Sequence, residues 1–159
     1  MIDFNQKSGL LLQSGYRYAL SLTHRESDAE DLVQEAWLKV YPKKGRRINR
    51  PLLFTAIRNL YIDHYRRGQL VVFEAFDETQ QSPVELTENN ITSADLEAAL
   101  DRLKPEEREA IFLNAVEGYT AQEIADLTDR PRNTVLSLMH RGKQKLSKAL
   151  NALSGRNQA

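Results

Sequence analysis

The chain contains 159 residues, of which 41% are hydrophobic and 28% are charged, a composition typical of a folded globular protein rather than a disordered one. It has no cysteine, which excludes disulfide bonds and thiolate-bound metals. No apolar stretch approaches the roughly 18–20 residues that span a membrane, and the N-terminus lacks the features of a signal peptide, so we expect a cytoplasmic protein.

Positive and negative charges cancel over the whole chain but are separated along it. Residues 36–67 hold nine basic side chains and one acidic, a net +8, and residues 129–159 hold seven basic and one acidic, a net +6. Residues 68–93 hold five acidic side chains and no lysine or arginine. Because a polyanion responds to the local potential rather than to the total charge, the two basic segments predict two separate contacts with nucleic acid.

The first third of the chain predicts three helices. Residues 5–23 carry apolar side chains at helical spacing. A second helix is predicted from a capping box of Ser27 and Glu30 to about Tyr41, because Pro42 disfavours helical backbone in the residue before it.

A basic loop is predicted at residues 42–50. A third helix should begin near Pro51, which suits a first-turn position, and end at Gly68.

The rest of the chain predicts an acidic linker and four further helices. Residues 68–93 read as a tether. Helical spacing resumes at 94–103, including Leu96, and again from Pro105 to Glu117. A further helix begins with a second capping box, Thr120 with Glu123, and a turn at Asp129–Pro131 leads into a last helix that ends near Leu150. The fold class is therefore all-α: two small helical domains, 1–67 and 94–159, joined by the acidic linker 68–93, the second being a helix-turn-helix.

The second helix has an outer face that suits a protein partner. Asp31, Gln34, Glu35 and Leu38 lie away from its apolar stripe, and acidic groups repel phosphate. An ordinary solvated face remains the alternative.

The third helix predicts a nucleic-acid surface. Phe54, Arg58, Tyr61 and Tyr65 form a second stripe, and rings among cations suit unstacked bases. It lies beside the predicted core stripe of Leu53, Ala56, Ile57 and Leu60. The alternative is that the rings belong to the core, which we favour for Phe54 and leave open for the two tyrosines.

The last helix has an apolar face, which should pack on earlier helices including Leu113 and Val116, and an opposite polar and basic face. That pattern is typical of the reading helix of a helix-turn-helix. The alternative is a simple helical hairpin with a solvated basic surface.

Nothing in the sequence predicts catalysis. The three histidines lie far apart, and the chain has no glycine-rich phosphate loop, no serine-centred elbow and no clustered metal ligands. Acidic pairs such as Glu106 and Glu107 sit at a helix start, where they complement the helix dipole. We therefore expect no catalytic residues, no cofactor and no metal.

Several motifs together resemble one family. The segments DAEDLVQEAWLKVY (28–41), LLFTAIRNLYIDHYRR (52–67), LKPEEREAIFLNAVEGYTAQEIADL (103–127) and NTVLSLMHRGKQKL (133–146) resemble bacterial sigma-70-type factors of the extracytoplasmic-function (ECF) group. The family has no catalytic activity of its own and lends promoter specificity to core RNA polymerase. The implied partners are core polymerase (the β′ clamp helices and the β flap), promoter DNA and an anti-sigma factor.

The resemblance also implies three sets of site residues. Those that dock on core polymerase are Asp31, Leu32, Gln34, Glu35 and Leu38. Those that capture and melt the minus-ten element are Lys43, Lys44, Arg46, Arg47, Asn49, Arg58, Asn59, Tyr61, Asp63, Tyr65, Arg66 and Arg67. Those that read the minus-thirty-five element are Arg132, Asn133, Thr134, Leu136, Ser137, His140, Arg141 and Lys143. The linker corresponds to a family segment that threads into the RNA path of the polymerase.

The helix-turn-helix departs from the family at several positions. The turn carries Asp129 and Arg130 instead of small or apolar residues, Asn133 replaces a common glycine, and Leu136 and Leu138 stand where cations are common. We expect Leu138 to be mostly buried and Leu136 to be exposed on the groove face, where it could touch a thymine methyl but cannot donate to guanine.

Two alternatives remain open at this point. A sigma-like decoy that binds an anti-sigma factor without reading promoters would explain the two leucines. A helix-turn-helix regulator that works without joining polymerase would leave the segment DLVQE (31–35) unexplained.

Overall fold

The computed structural model describes residues 4–68 and 92–156, and every regular element in these ranges is helical. This confirms the all-α prediction. The chain divides into two compact units: the first is formed by the three helices before the predicted linker, and the second by most of the helical residues after it. The predicted linker falls almost entirely on residues outside the described ranges.

The first unit is a bundle of three helices, α1 (Phe4–Thr23), α2 (Glu26–Lys44) and α3 (Arg50–Arg66), each of which contacts the other two. Its core is lined by apolar side chains from all three helices and by Ile48, which lies between α2 and α3; the helical residues are Leu11, Tyr18, Ala19, Leu22, Ala29, Leu32, Val33, Ala36, Leu53, Phe54, Ile57 and Leu60. The helical spacing of these residues is what gives each helix its buried face.

Helix α2 differs from its prediction at both ends. It begins at Glu26 after Arg25, which makes no side-chain capping bond, so the predicted capping box at Ser27 is wrong. Glu26 and Asp28 in the first turn stabilise this end instead, because acidic groups complement the positive end of the helix dipole.

The other end of α2 continues through Pro42 to Lys44. A proline in the last turn removes only one backbone hydrogen bond, and the helix ends instead at Gly45. This glycine has a φ of 52°, and its N–H donates to the carbonyl of Tyr41, a backbone conformation that favours glycine.

The predicted basic loop is mostly ordered into helical turns. Residues 42–44 complete α2, and Gly45–Arg47 form a 3₁₀ turn. Ile48 is then buried in the core, and Asn49 caps α3 by accepting a hydrogen bond from the N–H of Leu52 at 3.0 Å. The backbone that carries the cations of this segment is therefore fixed by the end of α2 on one side and by buried Ile48 and the Asn49 cap on the other.

A close helix contact surrounds Gly15 in α1. A Cβ atom at this position would lie 2.9 Å from Cδ2 of Leu53 and 3.0 Å from Cγ2 of Val33. We therefore expect Gly15→Leu to lower the free energy of unfolding by about 1–3 kcal/mol, the usual effect of overpacking. The matched control is Gly9→Leu, because nothing lies within 4 Å of a Cβ there. Urea unfolding of both variants checks this, and equal effects would contradict it.

The second unit contains α4 (Ser93–Asp101), α5 (Pro105–Ile111), residues 121–125 of α6 (Ala121–Thr128), and α7 (Arg132–Arg156). A capping box of Thr92 and Asp95 begins α4. The predicted box of Thr120 and Glu123 is present before α6, with both hydrogen bonds at 3.1 Å. Asp129 has a φ of 52° in the turn before α7, where the sequence predicts one.

Two apolar residues of this unit lie outside its core, although the sequence predicts that α7 packs on one of them, Val116. Leu96 is exposed, because the core side of α4 is formed around Ala99, which packs with Ala149 and Leu150 of α7. Val116 is exposed because Phe112–Val116 form a π-helical turn. The wider turn changes the face that each side chain presents, and no sequence periodicity signals it.

Candidate polymerase and nucleic-acid interfaces

The outer face of α2 exposes three of the five residues predicted to dock on polymerase. Asp31, Gln34 and Leu38 are exposed, and Leu38 is 71% accessible. Leu32 does not belong to this surface: it is 2% accessible and packs in the core, because it falls on the apolar stripe of the helix.

Glu35 is half-buried between α2 and α3. Its Oε2 lies 3.0 Å from Nε2 of His64. The carboxylate therefore joins α2, which carries the predicted docking residues, to α3, which carries predicted minus-ten residues.

An aromatic pair extends the exposed face of α2 and was missed from the sequence. The rings of Trp37 and Tyr41 stack with centroids 5.6 Å apart, and Tyr41 is exposed beside Leu38. Aromatic residues four apart on a helix are neighbours, so the spacing was a signal. The sequence predicts Tyr41 only as the end of the second helix.

The predicted minus-ten residues form an exposed basic surface on the first unit. Ten of the twelve are exposed, and Arg58 and Tyr61 are half-buried. Asp63 pairs with Arg67 at 3.2 Å, which leaves the surface strongly positive around it. This arrangement suits a chain of phosphates.

The two ends of the predicted aromatic stripe have different environments. Phe54 is 0% accessible and stacks on Tyr18 with ring centroids 4.6 Å apart, which confirms the favoured interpretation that it belongs to the core. Tyr65 is 51% accessible, near the C-terminus of α3. Of these two rings, only Tyr65 is free to stack on a base.

Helix α7 exposes all eight residues predicted to read the minus-thirty-five element. Leu136 is 38% accessible and Leu138 is 7% accessible, as predicted for each. The guanidinium of Arg141 donates through Nε to the carbonyl of Ser137 at 3.4 Å, which draws it along the exposed face.

Two buried carboxylates on α5 contact cations in and near α7. Glu107 binds Lys145 at 2.9 Å, and Glu109 binds Arg130 at 2.8 Å. The prediction that Glu107 merely complements a helix dipole is therefore incomplete, whereas the adjacent Glu106 is exposed.

In the two described ranges, no group of three or more histidine or acidic side chains could hold a metal ion, and no helix is long and apolar enough to cross a membrane.

Comparison with known families matches both units. The family model of sigma-70 region 2 matches residues 11–70, and that of sigma-70 region 4 matches residues 93–146.

Individual relatives point to one group. The chain is 34% identical to the ECF RNA polymerase sigma factor SigE of Mycolicibacterium smegmatis, over 82% of this chain and 55% of that protein, so it spans about half of that relative's length. It is 31% identical to the ECF RNA polymerase sigma factor EcfG of Rhodopseudomonas palustris, over 84% of this chain and 77% of that protein.

A solved structure shares the fold. The sigma factor RpoE of Bartonella quintana, crystallised with the anti-sigma factor NepR, aligns with a TM-score of 0.69 and 28% identity, over 94% of this chain and 97% of that one. With both regions matched and a relative more than 30% identical over most of its length, the chain belongs to the sigma-70 family of RNA polymerase sigma factors, in the extracytoplasmic-function group.

Proposed function

We propose that this chain binds core RNA polymerase and directs promoter-specific initiation of transcription. The observation that carries the proposal is that each of the two family regions exposes its own basic surface. We assign residues 1–67 to polymerase docking and the minus-ten element, 68–93 to an acidic linker, and 94–159 to the minus-thirty-five element. The protein acts in the cytoplasm, where polymerase is, and contributes no catalytic group.

The docking surface is the outer face of α2. Asp31, Gln34, Leu38 and the exposed ring of Tyr41 supply an apolar centre with a polar and acidic edge, the usual pattern of a protein interface. The acidic group keeps this face away from DNA phosphates, so polymerase and DNA take different sides of the first unit.

The minus-ten surface combines the cations of residues 43–47 with those at the end of α3. Flipping a base out of the duplex costs a few kcal/mol. Stacking on an exposed ring such as Tyr65 recovers about 1–3 kcal/mol per base, and the cations hold the separated strand.

The minus-thirty-five surface is the exposed face of α7. Arg132, Asn133, Ser137 and Arg141 can donate hydrogen bonds to base edges or phosphates. Leu136 can only make apolar contact, and in the major groove that selects a thymine methyl.

An anti-sigma factor fits the same proposal. The Bartonella quintana relative is bound to the anti-sigma factor NepR. We propose that this chain is held inactive in the same general way, by a protein that competes with polymerase for its surfaces.

Run-off transcription with purified core polymerase tests the proposal. The holoenzyme first selects promoters from a randomised duplex pool, and recovered duplexes then serve as templates. We expect a defined transcript that depends on this chain and on both promoter elements. Absence of binding to core polymerase, or transcripts independent of the chain, would contradict the proposal.

Replacing Leu136 with lysine should change which base is preferred in the minus-thirty-five element. Lysine donates to guanine where leucine can only touch a methyl, and one such contact discriminates bases by about 1–3 kcal/mol. We expect preference at one position to move from thymine towards guanine, measured by competition among single-base variants of the selected duplex. The control is Val116→Lys, an exposed apolar position of the same unit, which should leave preference unchanged. Unchanged preference in Leu136→Lys would place this residue off the groove.

A further inference from the structure

Two carboxylates of α5 are buried in the second unit, where an ionised group needs a partner. Glu107 and Glu109 are almost inaccessible. Oε1 of Glu107 accepts hydrogen bonds from the backbone N–H of Lys104 and from Nζ of Lys145, both at 2.9 Å. Oε1 of Glu109 accepts one from Nη1 of Arg130 at 2.8 Å. Removing Lys145 would leave the buried charge of Glu107 without a cation, which is strongly unfavourable. Removing Arg130 would take a charged partner away from buried Glu109.

The two cations flank the reading segment of α7. Arg130 lies just before the helix begins at Arg132, and Lys145 lies about three and a half turns along it. With a rise of about 1.5 Å per residue, Lys145 stands about 20 Å from the start of the helix. The exposed groove-face residues from 132 to 141 lie between the two ion pairs, and both pairs attach to the same helix, α5.

The pair nearer the end of the reading segment coincides with a very close approach of the two helices. A Cβ atom on Gly142 would lie 2.5 Å from Cδ1 of Ile111 and 3.4 Å from Cβ of Glu107. Lys145 is one turn further along α7 and reaches the same glutamate. Close backbone packing and a buried ion pair therefore restrain α7 at one place.

We propose that Glu107–Lys145 and Glu109–Arg130 are positioning pairs that set the orientation of α7 in the major groove, and that Arg130 and Lys145 do not contact DNA phosphates. This inference rests on the proposed function of the second unit. Both cations are about four-fifths buried as side chains. Turning Lys145 towards a phosphate would leave Glu107 unpaired, and its Oε2 already lacks a hydrogen-bond partner among the described residues.

Orientation matters because base contacts tolerate little error. A tilt of about 10° moves an atom 10 Å from the pivot by about 2 Å, which breaks a hydrogen bond. Loosening either pair should therefore weaken reading of the minus-thirty-five element without removing a charge from the DNA interface.

The dependence of DNA affinity on salt separates a positioning cation from a phosphate contact. Each phosphate contact contributes about 0.9 to the slope of log affinity against log salt. The experiment uses holoenzymes of the wild type, Lys145→Gln, Arg130→Gln and Lys143→Gln, titrated with the promoter duplex that the wild type recovers from a randomised pool. Lys143 is the exposed comparison, two residues from Lys145 and placed on the DNA surface.

We expect Lys145→Gln and Arg130→Gln each to lose about tenfold in affinity and to lose minus-thirty-five preference, with the salt slope unchanged. Lys143→Gln should lower the slope by about one and keep the preference. A slope lowered by about one in Lys145→Gln, or full affinity and preference in both positioning variants, would overturn the inference.

A double variant keeps the test decisive if Lys145→Gln fails to fold. Glu107→Gln with Lys145→Gln removes both charges and leaves no buried unpaired carboxylate. The inference expects the wild-type salt slope in this variant, whereas a phosphate contact at Lys145 would lower it by about one.

A wild-type holoenzyme without any minus-thirty-five preference would overturn the proposed function as well. A minus-thirty-five preference that stays at the wild-type level in Lys145→Gln and Arg130→Gln would overturn the positioning pairs but not the proposed function.

Discussion

Replacing Phe54 with alanine is expected to lower the free energy of unfolding by about 3–5 kcal/mol, the usual cost of removing a large ring from a core. Phe54 is fully buried and stacks on Tyr18 of α1, so its loss leaves a cavity at the centre of a small bundle. Small domains have only about 5–15 kcal/mol of stability in total. We expect a large fall in the urea midpoint and, with it, loss of holoenzyme at physiological temperature.

The matched variant is Tyr65→Ala, which changes another ring of the same predicted stripe. Tyr65 is half-exposed, so its unfolding free energy should change by no more than about 0.5 kcal/mol. Its expected effect is on promoter melting, measured as permanganate reactivity of unpaired thymines in the minus-ten element. If the two variants lost equal stability, the assignment of Phe54 to the core and Tyr65 to the surface would be contradicted.

The sequence favours the core for Phe54 but leaves the environment of Tyr65 open, because α3 contacts two helices at once. Helical spacing identified Leu53, Ile57 and Leu60 as core residues, and the structure places them there. A helix packed against both α1 and α2 buries a wider arc than one stripe. The width of that buried arc depends on the positions of the neighbouring helices, which the spacing of residues within one helix does not predict.

Helix ends were predictable only where one strong signal acted alone. Thr120 with Glu123, and the glycine after α3, are each such a signal, and the structure agrees with both. Around Pro42 two signals competed, and the glycine three residues later ended the helix. The energetic difference between such endings is about one hydrogen bond, too small for local pattern to decide.

The buried ion pairs of the second unit show a different limit. Glu107 and Lys145 are 38 residues apart, and Glu109 and Arg130 are 21 apart. A charged residue in a helix is solvated in most cases, so the local sequence around these glutamates gives no sign that they are buried. The burial of Leu136 and Leu138 could be predicted, because both lie on one helix. The angle of each residue from the apolar stripe of that helix decides whether it is buried.

Replacing Leu38 with glutamate is expected to weaken binding to core polymerase by about 30-fold or more, equivalent to about 2 kcal/mol. Leu38 is the most exposed of the large apolar side chains described in the first unit, and it stands between Gln34 and Tyr41 on the outer face of α2. An apolar centre of an interface loses its contact and gains a desolvated charge when it becomes glutamate. Titration of labelled chain with core polymerase measures the effect.

A second exposed leucine supplies the control. Leu10 of α1 is also more than half accessible, but it lies on a helix to which no docking role is assigned, so Leu10→Glu should change polymerase affinity by less than about twofold. Both substitutions are at exposed sites, and both should leave stability within about 0.5 kcal/mol. An exposed leucine by itself means little; what distinguishes Leu38 is its place among Asp31, Gln34 and an exposed ring. Equal binding by the two variants would mean that α2 docks through another face, and that its acidic surface is an ordinary solvated one.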